Sequence, residues 1–272
     1  MSLEPSRLVP FFREMPWGVT NLEPWFSDPP PEKSIGEVWF SCHQVPILVK
    51  FIFTSDRLSI QVHPGDADAA RLEGTSGKTE MWHILRAEPG ARIALGPCQA
   101  ITRERLRQAA LSGEIERLLR FLPLQPGETY FVYPGTIHTI GPGVVLCEIQ
   151  QNIDLTYRLY DYGRPRQLHL EKAVQVAELR PHPGPSIPAP VSESVTLLAS
   201  CPYFATERWE LTAGIIYRPD PQRSDLLVAL EGSGNLGAQP FAPGQVWLIP
   251  AAAEPFLLQA NGSACLLRTY VP

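Results

Sequence analysis

Residues 58–64 read Leu-Ser-Ile-Gln-Val-His-Pro. Leu58, Ile60 and Val62 alternate with Ser59, Gln61 and His63, and a period of two sends the two sets to opposite faces of a strand. One face is aliphatic and needs protein to lie against. The other shows a hydroxyl, an amide and an imidazole in a row. The pattern predicts a strand whose polar face looks into a barrel and holds a metal. The wider chain suits that architecture: 29 Pro and 20 Gly among 272 residues match many turns between short strands.

The balance of side chains sets the outer limits. Hydrophobic residues are 44% and charged residues 19%, an ordinary globular mixture with core enough for one large β unit or two small domains. A net charge of -5 supplies no basic field for nucleic acid or anionic lipid. No apolar run approaches the roughly 18 residues that a membrane span needs. The N-terminus has no charged start followed by an apolar stretch, so the expected location is cytoplasmic. Cys42, Cys98, Cys147, Cys201 and Cys265 are scattered without a C-x-x-C, which fits reduced thiols better than a disulfide frame or a cysteine zinc site.

Along the chain, residues 1–36, with Trp17-Gly18 and Pro29-Pro30-Pro31, read as an extended wrap with little regular structure. Residues 38–40 and 47–53 read as strands. Lys50 stands in an otherwise apolar run, either as an edge residue whose ammonium snorkels to water or as a buried cation. A short helix is expected near 67–72 and a strand over 78–86, with Lys78, Glu80 and Trp82 on one face. Over 101–122, Leu106, Ala109, Ala110, Ile115, Leu118, Leu119 and Leu122 recur at helical spacing around Gly113. This predicts two short helices, with Thr102 as an N-cap. A strand over 129–133 leads to the turn Pro134-Gly135. Between 144 and 158, Glu148, Gln150, Asn152, Asp154, Thr156 and Arg158 all fall on even positions. An unbroken strand would line them up on one face; a bulge near Asn152 would break the parity. Residues 180–190 read as a stiff linker. Beyond it come short strands over 203–212, 225–230, 245–250, 256–258 and 264–270. Glu231-Gly-Ser-Gly234 reads as a hairpin turn, and the C-terminal part, without His, as a structural second barrel with few convergent polar residues.

Gln61, His63, Glu80 and His138 have the chemistry of a zinc-type site. Two imidazoles and a carboxylate suit a borderline divalent ion, and a donor set without cysteine fits a catalytic site with an open position. A glutamine ligand is neutral and leaves the ion more positive, which favours Lewis-acid work. The order His, Glu and later His is that of a cupin barrel. Each residue alone has a structural reading, and His43, His83, His169 and His182 are assigned to it.

Residues 58–64 with Gly77-Lys-Thr-Glu80 resemble the metal-binding signature of type I mannose-6-phosphate isomerases. So do Pro134-Gly-Thr-Ile-His138, Glu148-Ile-Gln-Gln-Asn152 with Asp154, and Thr156-Tyr-Arg-Leu-Tyr-Asp-Tyr-Gly-Arg164. The likeness extends to Trp17-Gly18, Ile35-Gly-Glu-Val-Trp39 and Leu48-Val-Lys50, and covers nearly the whole chain. Gly244-Gln-Val-Trp-Leu-Ile-Pro250 and Tyr270-Val-Pro272 resemble the second half of the short bacterial members. Two departures stand out. Only the helices near 101–122 could represent the large helical insertion of longer members, and Ile140 stands where a tyrosine is frequent.

The resemblance implies an all-β protein: a cupin double-stranded β-helix (jelly roll) over 1–180 with short helical insertions, and a smaller cupin-like domain over 191–272. It implies one Zn2+ per chain on Gln61, His63, Glu80 and His138, and interconversion of mannose 6-phosphate and fructose 6-phosphate. Arg158, Lys78 and Glu148 take catalytic roles by the same match. Ser59, Lys50, Lys78 and Arg158 contact substrate, Ser59 near the phosphate. The partner is then a small sugar phosphate, with no nucleic acid or membrane, and the chain is a monomer or homodimer. Moving a carbonyl between neighbouring carbons requires a proton carrier, for which Glu148 or a lysine of depressed pKa (Lys78 or Lys50) qualifies. Rival readings are an iron-dependent cupin, disfavoured by Gln61, another sugar phosphate as substrate, and a sugar-phosphate sensor without turnover.

Overall fold

The structure is a computed structural model and describes residues 4–30 and 32–272. Met1–Leu3 and Pro31, which belong to the expected N-terminal wrap and its proline run, lie outside the described residues.

The strand Val144–Gln151 is buried along its whole length, because both of its faces are covered. Val145, Cys147 and Ile149 enter one apolar cluster and Val144 and Leu146 another. It forms the middle of a sheet ordered Phe11–Val19, Ile35–Phe40, Ile47–Phe53, Val144–Gln151, Glu80–Ala87 and Thr129–Val132. A second sheet runs Tyr157–Tyr160, Ile60–Val62, His138–Ile140, Arg92–Pro97 and Leu119–Pro123. A third combines Ser6–Arg7 with the strands from Ala189 to Tyr270. Pairing is antiparallel in all three, as in the registers of Val144–Gln151, His138–Ile140 and Phe256–Tyr270.

The layers follow from which faces are apolar. Ile60, Val62, Tyr157 and Leu159 on the outer face of the second sheet meet Leu106, Ala109 and Ala110 of the helix Arg103–Ser112 and Val174 of the helix Leu170–Val176. Between the first and second sheets lie Ile52, Trp82, Ile84, Ile93, Leu95 and Leu146. The back of the first sheet, with Val38, Phe51, Met81 and Ile149, shares a core with Phe204, Leu226, Val246 and Leu267 of the third. The polar side of Ile60–Val62 therefore looks inward between two sheets, while Ile60 and Val62 lie under helices. Leu58 departs from the expected face: it precedes the strand and joins the inner cluster. Among the described residues no helix is long and apolar enough to cross a membrane.

Several local expectations hold. Helices span Asp66–Glu73, Arg103–Ser112 and Ile115–Leu118, and the Thr102 side chain accepts from the Arg105 N–H as an N-cap. Leu119 and Leu122, given to the helical period, instead belong to Leu119–Pro123, which pairs with Arg92–Pro97. The cysteines are free.

Others are corrected. The N-terminal stretch is not merely a wrap: Phe11–Val19 is a nine-residue strand paired with Ile35–Phe40. Lys50 is not a snorkelling edge residue, since its strand lies between two others and it is 4% exposed. The run 144–158 is not unbroken. The Gln150 amide donates to the Gln151 and Ile153 carbonyls at 2.8 and 2.7 Å, and Ile153 N–H to the Gln151 carbonyl at 2.7 Å, so the chain turns before resuming at Tyr157. Glu231-Gly-Ser-Gly234 is not a hairpin turn but part of Asp225–Leu236, paired with the single long strand Phe256–Tyr270. A Cβ at Gly232 or Gly234 would stand 2.1 or 2.0 Å from the carbonyl oxygen of Ser263 or Gln259. The glycines permit the close approach and register shifts of a bent ribbon. The C-terminal sheet also has convergent polar groups: Arg268 donates to Asp225 at 3.0 Å, and Tyr217 and Tyr270 donate to Asp225 and Glu207. Within the expected linker 180–190, Ser186 N–H donates to the Thr129 carbonyl at 2.7 Å and His182 to that of Phe131 at 2.9 Å, which ties it to Thr129–Val132.

Candidate active site

Two rows of side chains face each other between the sheets. Across the first sheet, Trp39 is opposite Lys50, Lys50 opposite Glu148, and Glu148 opposite Trp82. Across the second, Arg158 is opposite Gln61 and Gln61 opposite His138. Between them is a cavity of about 270 Å3 whose walls include Lys50, Lys78, Glu148, Gln61, His138 and Arg158.

The candidate metal group lies at its inner end. One ligand atom each from His63, Glu80 and His138 fall within 4.8 Å of one another. The two imidazoles are oriented from behind. His63 Nδ1 is 2.7 Å from the Leu155 carbonyl and His138 Nδ1 is 2.8 Å from that of Thr136. A carbonyl only accepts, so both Nδ1 atoms carry the proton and both Nε2 lone pairs face inward. These stand 3.6 and 3.7 Å from the two Glu80 oxygens. Burial holds both rings below the usual histidine range, His138 at about 4, and the Lys78 charge adds to it. Neutral imidazoles are what metal ligation requires.

Glu80 is 1% exposed, and neither of its oxygens receives a well-directed hydrogen bond. Lys78 Nζ is 2.8 Å from Oε2, an ion contact. Burial and then the charge of Glu148 raise the Glu80 pKa. Burial would raise Glu148 too, but Lys50 and Lys78 outweigh it and lower its pKa. Lys50 Nζ is 2.9 Å from Glu148 Oε1, and Trp82 Nε1 donates to Oε2 at 2.9 Å. Burial opposes the charge of Lys78, yet Glu80 and Glu148 raise its pKa above the ordinary lysine range. The direction at Lys78 is thus opposite to that expected of a lysine base of depressed pKa, with Glu80 and Glu148 as its cause.

A buried carboxylate whose one close contact is the Lys78 ammonium, together with two inward imidazole nitrogens, fits a divalent ion with N and O ligands. Gln61 adjoins them. Ser59 donates to its Oε1 at 2.9 Å, and its Nε2 is 3.3 Å from His138 Nε2. The amide thus presents its nitrogen to the group. Turning it over would present oxygen, and the Ser59 hydroxyl, which donates or accepts, serves either orientation. Ser59 itself is 1% exposed and bonded to Gln61; it does not reach the cavity wall, unlike Lys50, Lys78, Glu148 and Arg158.

Arg158 has no carboxylate within ion-pair distance among the described residues, and its buried Nε has no acceptor. Burial and then Arg166 lower its pKa. Arg166 also lines the cavity, held by Asp161 at 2.7 and 2.6 Å and stacked 4.9 Å from the Trp17 ring centre. Arg13 lies 3.6 Å from Asp154 and 4.2 Å from the Trp39 ring centre. Sequence reasoning gave no role to Arg13, Trp17, Glu37, Trp39 or Arg166. Glu37 and Trp39 share a parity within a segment already singled out, which was a usable signal. The arginines carried none.

Sheets, cavity and donor set define a class: an all-β protein with two imidazoles and a carboxylate gathered at the inner end of a cationic cavity. No family model matches the chain. Mannose-6-phosphate isomerase ManA of Bacillus subtilis (strain 168) is 33% identical over an alignment of 314 residues, covering 95% of this chain and 97% of that protein. The crystal structure of a mannose 6-phosphate isomerase from Bacillus subtilis superposes with a TM-score of 0.88 at 28% identity, covering 98% and 99% of the two chains. A zinc-bound mannose 6-phosphate isomerase shares the fold, with a TM-score of 0.78 at 17% identity over 98% and 99%. The chain belongs to the type I mannose-6-phosphate isomerase family.

Proposed function

We propose that this protein interconverts mannose 6-phosphate and fructose 6-phosphate through an enediol(ate), with one Zn2+ held by His63, Glu80, His138 and Gln61. The observation that carries the reading is the group His63, Glu80 and His138 beside a cavity that also presents Lys78, Glu148 and Arg158. The zinc-bound family structure supports the choice of metal. The two facing sheets we read as a cupin jelly roll, with the strands after residue 190 as its smaller companion.

When bound, zinc supplies Lewis-acid stabilisation of negative charge on the reacting oxygens. The protein's own groups do the rest. Arg158, charged and without a carboxylate partner, places positive charge where the enediolate or the phosphate needs it. Arg166 extends that cationic wall with a guanidinium already fixed by Asp161 and Trp17. Lys78 adds a held ammonium whose N–H groups can donate hydrogen bonds to substrate oxygens. Glu148 is the ionised carboxylate of the cavity and the candidate proton carrier between C1 and C2.

Two measurements test this. Purified protein should turn over mannose 6-phosphate in an assay coupled to glucose-6-phosphate isomerase and its dehydrogenase, and lose activity to a chelator. Chelator-insensitive turnover would remove the metal from the reading. Arg158→Ala should retain zinc and lower kcat/KM by about 10²–10³-fold; undiminished activity would remove Arg158 from it.

A further inference from the structure

Glu37 is a cavity carboxylate that the reading above leaves without a task. It sits on Ile35–Phe40, is 8% exposed, and lines the same cavity as Lys78, His138 and Arg158. Trp39 Nε1 donates to its Oε2 at 2.6 Å. Trp39 is itself fixed, with Arg13 and Lys50 at 4.2 and 4.5 Å from its ring centre. Among the described residues no cation lies within ion-pair distance of Glu37. The ammoniums of Lys50 and Lys78 are instead taken by Glu148 and Glu80, at 2.9 and 2.8 Å. Glu37 is felt at Lys78 only as a more distant charge. Among the described residues no donor reaches its Oε1, which is not sealed from solvent and so opens on the cavity.

A nearly buried carboxylate without a paired cation is costly unless something else supplies donors. It repels a phosphate dianion. It is not one of the grouped ligand atoms of His63, Glu80 and His138. Neutral hydroxyls are the donors that suit it, and a carboxylate accepts from them more strongly than a neutral oxygen does. We infer that Glu37 accepts a hydrogen bond from a non-reacting hydroxyl of the sugar and so helps set which sugar phosphates this cavity takes. This rests on the proposed isomerase reading. With Arg158 and Arg166 on the cationic wall, the cavity then has an end for the phosphate and an acceptor for the hydroxyl chain. A site built to bind a hydroxyl discriminates strongly against analogues that lack it.

The test compares wild-type zinc enzyme, Glu37→Ala and Glu37→Gln on mannose 6-phosphate and on its 3-deoxy and 4-deoxy analogues. Zinc content and thermal midpoint are followed in parallel. Glu37→Ala should lower kcat/KM for mannose 6-phosphate by about 10–100-fold. With one of the deoxy analogues the same substitution should cost less than about threefold, because the hydroxyl it served is already missing. Glu37→Gln keeps an acceptor oxygen and the contact to Trp39, and should fall between the two. An equal loss on all three substrates by both variants, or no loss on any, overturns the inference while leaving the isomerase reading intact. Failure of the wild-type enzyme to turn over mannose 6-phosphate overturns both.

Discussion

The charges beside the candidate metal group alternate: Lys50, Glu148, Lys78, Glu80. Each member depends on its neighbours because all are within a few per cent of full burial. Removing one partner of such a pair leaves a buried charge with one counter-charge fewer, a loss toward the lower end of roughly 3–5 kcal/mol, since Lys78 stays 3.9 Å from Glu148. Lys50→Met is therefore expected to destabilise the chelator-treated protein by about that amount. Lys50→Met/Glu148→Leu should recover much of it, since the orphan is removed with its partner. Denaturant midpoints at constant slope measure both; a single variant as stable as wild type would mean that Glu148 gains protons or water without cost. The alternation at 58–64 made Gln61 and His63 legible, since a short strand displays parity directly. Lys50 was ambiguous because a cation in an apolar run reads the same at an edge as in the middle of a sheet. Only the strand order, which depends on residues about a hundred positions away, separates the two.

At the level of elements, the break after Gln151 shapes the site more than any regular strand. The Gln150 amide fastens the turn through the Gln151 and Ile153 carbonyls. The released loop brings the Leu155 carbonyl to His63 Nδ1 and sets Asp154 and Thr156 on the cavity wall. Gln150→Leu is expected to cost about 1–3 kcal/mol of stability through the lost bonds and newly unpaired carbonyls. By loosening the partner that orients His63, it should also weaken zinc binding by about 10–100-fold. Competition against a chromogenic chelator reads the second effect, and unchanged affinity would show that Leu155 does not depend on this turn. Parity counting pointed to six aligned polar groups here because it assumes the backbone continues. A side chain that bonds to its own backbone overrides that assumption. The helical segment was more readable: Thr102, the apolar spacing and Gly113 are local signals, and each operates within the residues that show it. Gly232 and Gly234 were misread for the opposite reason. Turn glycines and close-approach glycines look alike until the facing strand is known.

Over the whole molecule, the sheets are joined by shared cores, and the histidines are distributed through them. His63 and His138 lie between the first and second sheets. His83 lies on the back of the first sheet, 2.9 Å from Thr129 Oγ1, toward Arg208 of the third. Neither this arrangement nor the pairing of distant strands was visible in composition or periodicity, which describe faces and not their partners. Its consequence is a dependence on pH. Burial lowers all three imidazoles, His83 and His138 to about 4, against about 6.5 in an unfolded chain. As pH falls below about 6.5, the unfolded chain takes up protons first, so stability is complete above that value and declines toward pH 4. The expected loss for the chelator-treated protein is on the order of a few kcal/mol across this window. Zinc should hold His63 and His138 deprotonated and flatten their part of the slope until it is itself released by acid. His83 is remote from that group, so His83→Gln should remove its share of the slope whether or not zinc is bound. Denaturant titrations from about pH 7.5 to about pH 4.5, with and without chelator, separate the contributions. Glu80, whose pKa burial and Glu148 raise, gains a proton in the folded state over the same window and opposes part of this decline, so the deciding variant is His83→Gln: a slope unchanged by it would mean that His83 is protonated in the folded protein, contrary to its burial.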